Sequence, residues 1–269
     1  MIVAFAAAPS ADHAWGDYHW SRSSNPLALS IGDNVSSVWD GHLVGAIADW
    51  NSSSVLSVTR VAGGTRPKNC RPTSGRIEVC SERYGFTGWL GIAQIWVSGT
   101  HITQAITKVN DSYFSAAPYN DPDWRQLVMC QEVGHDFGLD HQDEDFENDN
   151  LGTCMDYTSD PDGPLDNTRP NNHDYNQLES IYGHLDGGGG GGGGGRGGGG
   201  GRGGGRGNSG GAAQAPGQLD LESPGEWGQL VRSIARGRVH VYERDFGGGR
   251  KVLTRVFWAN PEGDSRGRR

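Results

Sequence analysis

Apolar side chains recur at two different spacings in the first two thirds of the chain, and each spacing predicts a different kind of element. Residues 36–51 carry apolar side chains at helical intervals behind two serines that can cap a helix. Residues 55–63 alternate apolar and polar side chains, which is typical of a strand, and residues 75–83 and 88–99 are predicted to be strands as well. Residues 101–114 mix both characters, and either an edge strand or a loop across a cleft fits them.

Two further helices are predicted downstream of these strands. Residues 121–139 place Pro122 between two aspartates that can cap the helix, and Gly138 ends it. Residues 173–185 form the second helix, with His173 helping to start it. Its apolar face is made by Tyr175, Leu178, Ile181 and Tyr182. Helices and strands together predict an α+β fold.

Composition divides the chain into four segments. Residues 12–186 are predicted to form one domain. Residues 1–11 are apolar and end in small side chains, so they resemble the later part of a signal peptide. Glycine broken only by three arginines fills residues 187–207, and we predict a flexible linker over residues 187–217. Residues 218–269 are expected to form a small accessory unit of unknown role, with a short helix and two or three strands.

Charge is distributed unevenly along the chain. Residues 1–186 contain 10 basic and 25 acidic residues, a net charge of −15, whereas residues 187–269 carry a net charge of +6. An acidic main domain argues against nucleic-acid binding, and the glycine–arginine tract lacks the aromatic residues that would support such a role. No run of 18 apolar residues is present, so no membrane span is predicted. The acidic domain suits a secreted protein or one that binds hard cations.

The four cysteines predict two disulfides and an oxidising compartment. Three pairings are open, and four reduced, buried thiols are the alternative. The residues favour Cys70–Cys80, because a short loop between two predicted strands separates them.

The stretch QEVGHDFGLDH carries the strongest chemical signal. Gln131 and His135 are four residues apart and therefore share one face of the predicted helix. Gly138 allows a sharp turn, after which His141 can return as a third metal ligand. Three protein ligands leave one position open, which is the arrangement of catalytic zinc. Glu132 lies beside the first ligand and can reach a water molecule without binding the metal.

The motif E-x-x-H-x-x-G-x-x-H followed by the turn CMDY resembles the metzincin metalloproteases. The resemblance covers roughly residues 12–186 and leaves out the C-terminal unit. It implies that Met155, fourteen residues after His141, lies beneath the metal. Tyr157 is similar to the tyrosine of the astacin and serralysin pattern, which stabilises the oxyanion. The helix after the turn is similar to the last catalytic-domain helix of matrixin-type members.

The resemblance also implies a mechanism and a second disulfide. In that fold the metal helix and the methionine turn lie close together, so a Cys130–Cys154 bridge would brace the site. We expect a secreted, monomeric Zn²⁺ endopeptidase that hydrolyses a protein or peptide substrate, with Glu132 as general base and Tyr157 assisting.

One residue departs from the pattern, because Gln131 stands where the family has histidine. An amide oxygen is a poorer zinc donor than an imidazole nitrogen. Three outcomes remain open: a glutamine-ligated zinc enzyme, a two-histidine site with extra water, and a metal-free pseudoprotease that acts as a binding protein. Because Glu132 serves only the chemistry, its presence together with Tyr157 favours an active enzyme.

Two acidic segments and several histidines remain outside this motif. Residues 141–150 and 156–167 are rich in carboxylates, which could hold a structural Ca²⁺ or simply be solvated. Surface or core roles, and no metal role, are expected for the remaining candidates, His13, His19, His101, His173 and His184.

Overall fold

A mixed sheet with few helices forms the frame of the molecule. The computed structural model describes residues 13–146, 148–186, 224–234 and 239–259. The strands are β1 His19–Trp20, β2 Leu27–Asn34, β3 Leu56–Ala62, β4 Ile77–Glu82, β5 Trp89–Ser98, β6 His101–Asn110, β7 Gln229–Ile234, β8 Val239–Asp245 and β9 Arg250–Trp258. The helices are α1 Asp40–Trp50, α2 Pro122–Asp136 and α3 Asn172–Ile181. This confirms the predicted α+β class.

The sheet changes from parallel to antiparallel in its middle. Its strand order is β3-β2-β4-β6-β5-β9-β8-β7, and β1 pairs in parallel with the start of β6. The pairs β2–β3, β2–β4 and β4–β6 are parallel, whereas β5 runs antiparallel to both of its neighbours, β6 and β9. The change of direction at β5 gives this strand two antiparallel partners from distant parts of the chain.

Strand β5 is buried on both faces, which explains its nearly continuous run of apolar residues. Ile92 and Trp96 belong to one hydrophobic cluster, and the alternate residues Ile95 and Val97 belong to the other. Because side chains alternate across a strand, the two clusters lie on opposite faces of the sheet. Helices α1 and α2 pack against each other, and α2 also lies against β5 and β6.

The predicted helices and strands are present, with differences at their ends. Helix α1 begins at Asp40, later than predicted, because residues 36–39 form a turn and Trp39 supplies no side-chain cap. In α2, the side chain of Asp121 accepts a hydrogen bond from the backbone of Asp123. Helix α3 starts one residue earlier than predicted, because Asn171 caps it.

The open choice over residues 101–114 is settled by β6, which is an interior strand between β4 and β5 rather than an edge strand or a loop. Its polar side chains Thr107 and Lys108 are buried, which is why the polar–apolar pattern suggested a more exposed element. Strands β1 and β2 were not predicted.

The C-terminal segment adds three strands to the same sheet. Strand β9 pairs along β5 from Trp89 to Ser98, and β8 and β7 follow outward. The predicted short helix is a single 3₁₀ turn, Pro224–Glu226. The predicted signal segment and linker, residues 1–11 and 187–217, lie outside the described residues, and the division into a main domain and an accessory unit stays a prediction.

Both expected disulfides are formed, Cys70–Cys80 and Cys130–Cys154. They are compatible with the predicted oxidising compartment. Of the described helices, none has the length and apolar character needed to cross a membrane.

Candidate functional site

Helix α2 ends in a tight turn that returns the chain toward the helix. Gly138 follows the helix with φ +89°. A Cβ atom at this position would fall against the carbonyl oxygen of Tyr18, so glycine satisfies both the backbone conformation and the available space. After this turn His141 lies beside His135.

The two histidines face each other through their Nε2 atoms, which are 3.0 Å apart. Nδ1 of His135 lies 2.9 Å from the carbonyl oxygen of Leu139, which can only accept, so this nitrogen carries the proton and Nε2 offers a lone pair. Burial and then the positive charge of Arg255 lower the pKa of His135 to about 3, and the same two causes lower the pKa of His141 well below its usual value. Both rings are therefore neutral at physiological pH.

Gln131 is anchored through its amide nitrogen. Its Nε2 donates to the carbonyl oxygens of Cys154, at 2.8 Å, and Asp156, at 3.4 Å. Its Oε1 is buried, and no hydrogen-bond donor among the described residues reaches it. The disulfide from Cys130 joins the residue before Gln131 to the same segment. The side chain is thus held in place while its carbonyl oxygen stays free for a ligand.

Glu132 lies under the backbone of strand β5. A Cβ atom added at Gly91 would come within 2.6 Å of its Oε1, so the absence of a side chain there makes room for the carboxyl group. Both carboxyl oxygens are buried without a hydrogen-bond partner in the described part of the chain. Burial, followed by the negative charge of Asp136, raises the pKa of Glu132 well above its usual range.

Met155 and Tyr157 complete the surroundings of the two histidines. A Cβ atom at Gly134 would lie 2.6 Å from Sδ of Met155, which places the methionine directly against α2. The ring of Tyr157 has its centroid 4.0 Å from that of His141. Burial raises the pKa of Tyr157 well above its usual value, so its phenol stays protonated and can donate a hydrogen bond.

Arg255, which was not predicted as a site residue, enters this site from strand β9. Its guanidinium donates to Nδ1 of His141 at 2.7 Å and to Asp140 at 2.5 Å, and it lies over the ring of Trp15. It is 1% exposed. Leu253, Arg255 and Phe257 alternate along β9, so their side chains point to the same face of the sheet. A charged residue between two apolar residues of a predicted strand was the pattern that could have indicated a buried role for Arg255.

Two groups of side chains in the described residues have the composition and spacing of metal sites. One consists of Asp140, His141 and Glu144, and the other of His19, His184 and Asp186; in each group the ligand atoms lie within 4.8 Å of one another. The first group shares His141 with the His135–His141 pair. The second group contains none of the residues of the Gln131 site. No metal role was predicted for His19 or His184. His13 instead pairs with Asp174 at 3.0 Å.

Some carboxylates of the two acidic segments accept hydrogen bonds from other residues of the same segments. The carboxyl group of Asp143 accepts from the backbone of Asp145 and the side chain of Asn148, and Asp156 accepts from the side chain of Asn167. The described residues of these segments bring no three carboxylates to one point. A structural Ca²⁺ stays a prediction.

Comparisons with models of known protein families and with curated proteins find no match for this chain.

Proposed function

We propose that the chain is a zinc-dependent endopeptidase of the metzincin type, with Gln131, His135 and His141 as metal ligands. The observation that carries this proposal is the free, buried Oε1 of Gln131, anchored through its own amide nitrogen on the helix face that also holds His135. Two neutral imidazole nitrogens and a carbonyl oxygen form a donor set that zinc accepts. Bound there, zinc would polarise the scissile carbonyl and lower the pKa of a water molecule.

Glu132 would carry the proton in this reaction. Burial raises its pKa well above the usual value for a glutamate, which favours its taking up a proton. It would take a proton from the attacking water and give it to the leaving amine. The protonated phenol of Tyr157, in contact with His141, would donate a hydrogen bond to the oxyanion.

Strand β9 covers the sheet edge along which a peptide substrate could approach Glu132 and the proposed metal ligands. An extended peptide can bind a protein by adding a strand to a sheet edge. The edge of β5 is taken by β9, and Ala93 of β5 pairs with Arg255 of β9. A substrate using this edge would have to displace β9, so we infer that the conformation described here is a covered, latent form of the enzyme.

The same strand pairing favours a second candidate function, a peptide-binding module on an inactive protease fold. Such a protein would hold an extended segment along β5 without cutting it, as β9 is held. It would need neither a metal nor the chemistry of Glu132.

Zinc-dependent peptide hydrolysis separates the two candidates. Purified full-length protein, reconstituted with Zn²⁺, should cleave a casein substrate slowly because β9 covers β5 in most molecules, and it should lose this activity with a chelator and on Glu132→Ala. Glu179→Ala, an exposed glutamate on α3, is the matched control and should stay active. Absence of cleavage by zinc-loaded wild-type protein, and also by zinc-loaded Arg255→Met protein, in which β9 has lost its side-chain contacts with His141 and Asp140, would favour the binding module.

A further inference from the structure

Three histidines from separate elements converge on one carboxylate at the end of the predicted main domain. The Nε2 atoms of His19, His101 and His184 lie 3.4, 3.1 and 3.3 Å from Oδ1 of Asp186. Nε2 of His184 is also 3.3 Å from Nε2 of His19. The proposed peptidase chemistry uses none of these residues.

The hydrogen bond at Nδ1 of His19 leaves its Nε2 available as a metal ligand. Its Nδ1 lies 2.9 Å from the carbonyl oxygen of Asp17, which can only accept. Nδ1 therefore carries the proton of the neutral ring, and Nε2 presents a lone pair. That lone pair points at a carboxylate oxygen and at the Nε2 atom of His184. With the neutral His184 ring also unprotonated at Nε2, these three atoms would all be acceptors, and a cation placed between them would stabilise the arrangement.

The separations of the three donor atoms suit a small, tetrahedrally coordinated metal. Zinc binds histidine nitrogen at about 2.0–2.1 Å and carboxylate oxygen at about 2.0–2.2 Å, so neighbouring donors of a tetrahedral site lie roughly 3.3–3.5 Å apart. The distances among His19, His184 and Asp186 are 3.3 to 3.4 Å. We propose that His19, His184 and Asp186 form a zinc site distinct from the Gln131 site, with His101 as a positioning residue for the carboxylate.

Arg22 holds the carboxylate ligand in place. The backbone N–H of Arg22 donates to Oδ2 of Asp186 at 2.7 Å, and its carbonyl oxygen accepts from the backbone of Asp186 at 2.9 Å. Its side chain donates to the carbonyl oxygen of His184 at 3.0 Å. These hydrogen bonds hold the carboxylate ligand in a fixed position.

The site is accessible to a metal ion and joins distant parts of the chain. The His184 side chain is 54% exposed, whereas those of His19 and Asp186 are each 11% exposed. His19 belongs to β1, and His184 and Asp186 follow α3. Asp186 immediately precedes the glycine tract. A metal here would fasten the end of the main domain to its first strand, which is a structural role.

Zinc stoichiometry tests the proposal on the full-length chain. Wild-type protein, and a His135→Ala/His141→Ala protein that removes both histidines of the other site, are dialysed against Zn²⁺ and their metal content is measured. The double variant should keep about one equivalent. Adding His184→Ala or the near-isosteric Asp186→Asn should remove it, while His42→Ala, a histidine on α1, should not.

Two further readouts keep the test decisive if one variant fails to fold. In the wild-type background, His184→Ala should lose one equivalent of bound zinc relative to His42→Ala, with unchanged far-UV circular dichroism. His101→Ala should retain the stoichiometry but weaken affinity roughly 10- to 100-fold, as expected when a group that orients a ligand is lost. Equal zinc content in folded His184→Ala and wild-type protein would overturn the proposal, as would a cluster that responds to pH but binds no zinc.

Discussion

Arg255 and His141 are joined by a hydrogen bond that decides which nitrogen of His141 carries a proton. Nη1 of Arg255 lies 2.7 Å from Nδ1 of His141, and a guanidinium only donates. The proton of the neutral ring therefore sits on Nε2, which faces the unprotonated Nε2 of His135. A histidine that binds a metal through Nε2 instead carries its proton on Nδ1, facing the donor of Arg255. Metal binding and the Arg255 contact thus compete for His141.

Replacing Arg255 should therefore tighten zinc binding at the Gln131 site. Arg255→Met keeps the length of the buried side chain but removes the donor and its positive charge. In a His184→Ala background, zinc affinity should rise at least about tenfold, or ~1.4 kcal/mol, as measured by competition with a chelating dye. The exposed Arg250 on the same strand provides the control Arg250→Met. Equal affinities in the two variants would show that Arg255 does not compete with the metal.

Much of the local structure around α2 could be predicted because its signals lie close together in the sequence. The capping Asp121, the four-residue spacing of Gln131 and His135, and the turn glycine Gly138 all act within one helix and the turn that follows it. The pairing of Cys70 with Cys80 was also accessible, because only one short loop separates them.

Contacts made by pairing between distant strands could not be predicted in the same way. Arg255 meets His141 across 114 positions, and the contact depends on the register of β9 along β5. Alternation shows that Arg255 shares a face with its neighbours on β9, but not which strand lies beside it. The cluster at Asp186 was missed for the same reason, since His19, His101 and His184 come from three separate parts of the chain.

The Cys130–Cys154 disulfide should support the metal site as well as the fold. Replacing both cysteines by alanine is expected to cost about 2–4 kcal/mol of unfolding free energy. It should also weaken zinc binding, because the bridge positions the segment whose carbonyl oxygens hold Gln131. The Cys70–Cys80 pair is the matched control: its removal should lower stability but leave zinc affinity unchanged. Denaturant unfolding and dye competition measure the two effects, and equal losses of affinity would contradict this role.

Asp156 should make the metal-free protein less stable as pH rises toward neutrality. Burial raises its pKa from 3.8 to about 6. Between these values the folded state binds the proton more tightly than the unfolded state does, so this contribution to stability is complete below pH 3.8 and is lost as pH rises through 6. The full shift corresponds to about 3 kcal/mol, and solvent screening should make the measured loss smaller than this.

The variant Asp156→Asn isolates this contribution, because it cannot ionise and keeps an oxygen that can accept from Asn167. The difference in unfolding free energy between variant and wild type, measured by urea titration in chelator from pH 4 to pH 7, should shift in favour of the variant with rising pH. The exposed Asp160 gives the control Asp160→Asn, which should show no such trend. A constant difference for Asp156→Asn would refute the assignment.

The variant Gln131→His tests whether the natural glutamine already binds the metal. The new imidazole could donate from one nitrogen to the carbonyl oxygen of Cys154, where the amide nitrogen now donates, and present the other to the metal. Because imidazole is the better donor, zinc affinity should rise about tenfold or more. Peptide hydrolysis should change in rate but not arise anew, and Gln131→Leu should lose both zinc and activity. Gln126→His, the same substitution earlier on α2, is the control. If Gln131→His created activity in a chain that otherwise has none, the natural protein would be a pseudoprotease. If Gln131→Leu bound zinc as tightly as wild type, Gln131 would not be a ligand.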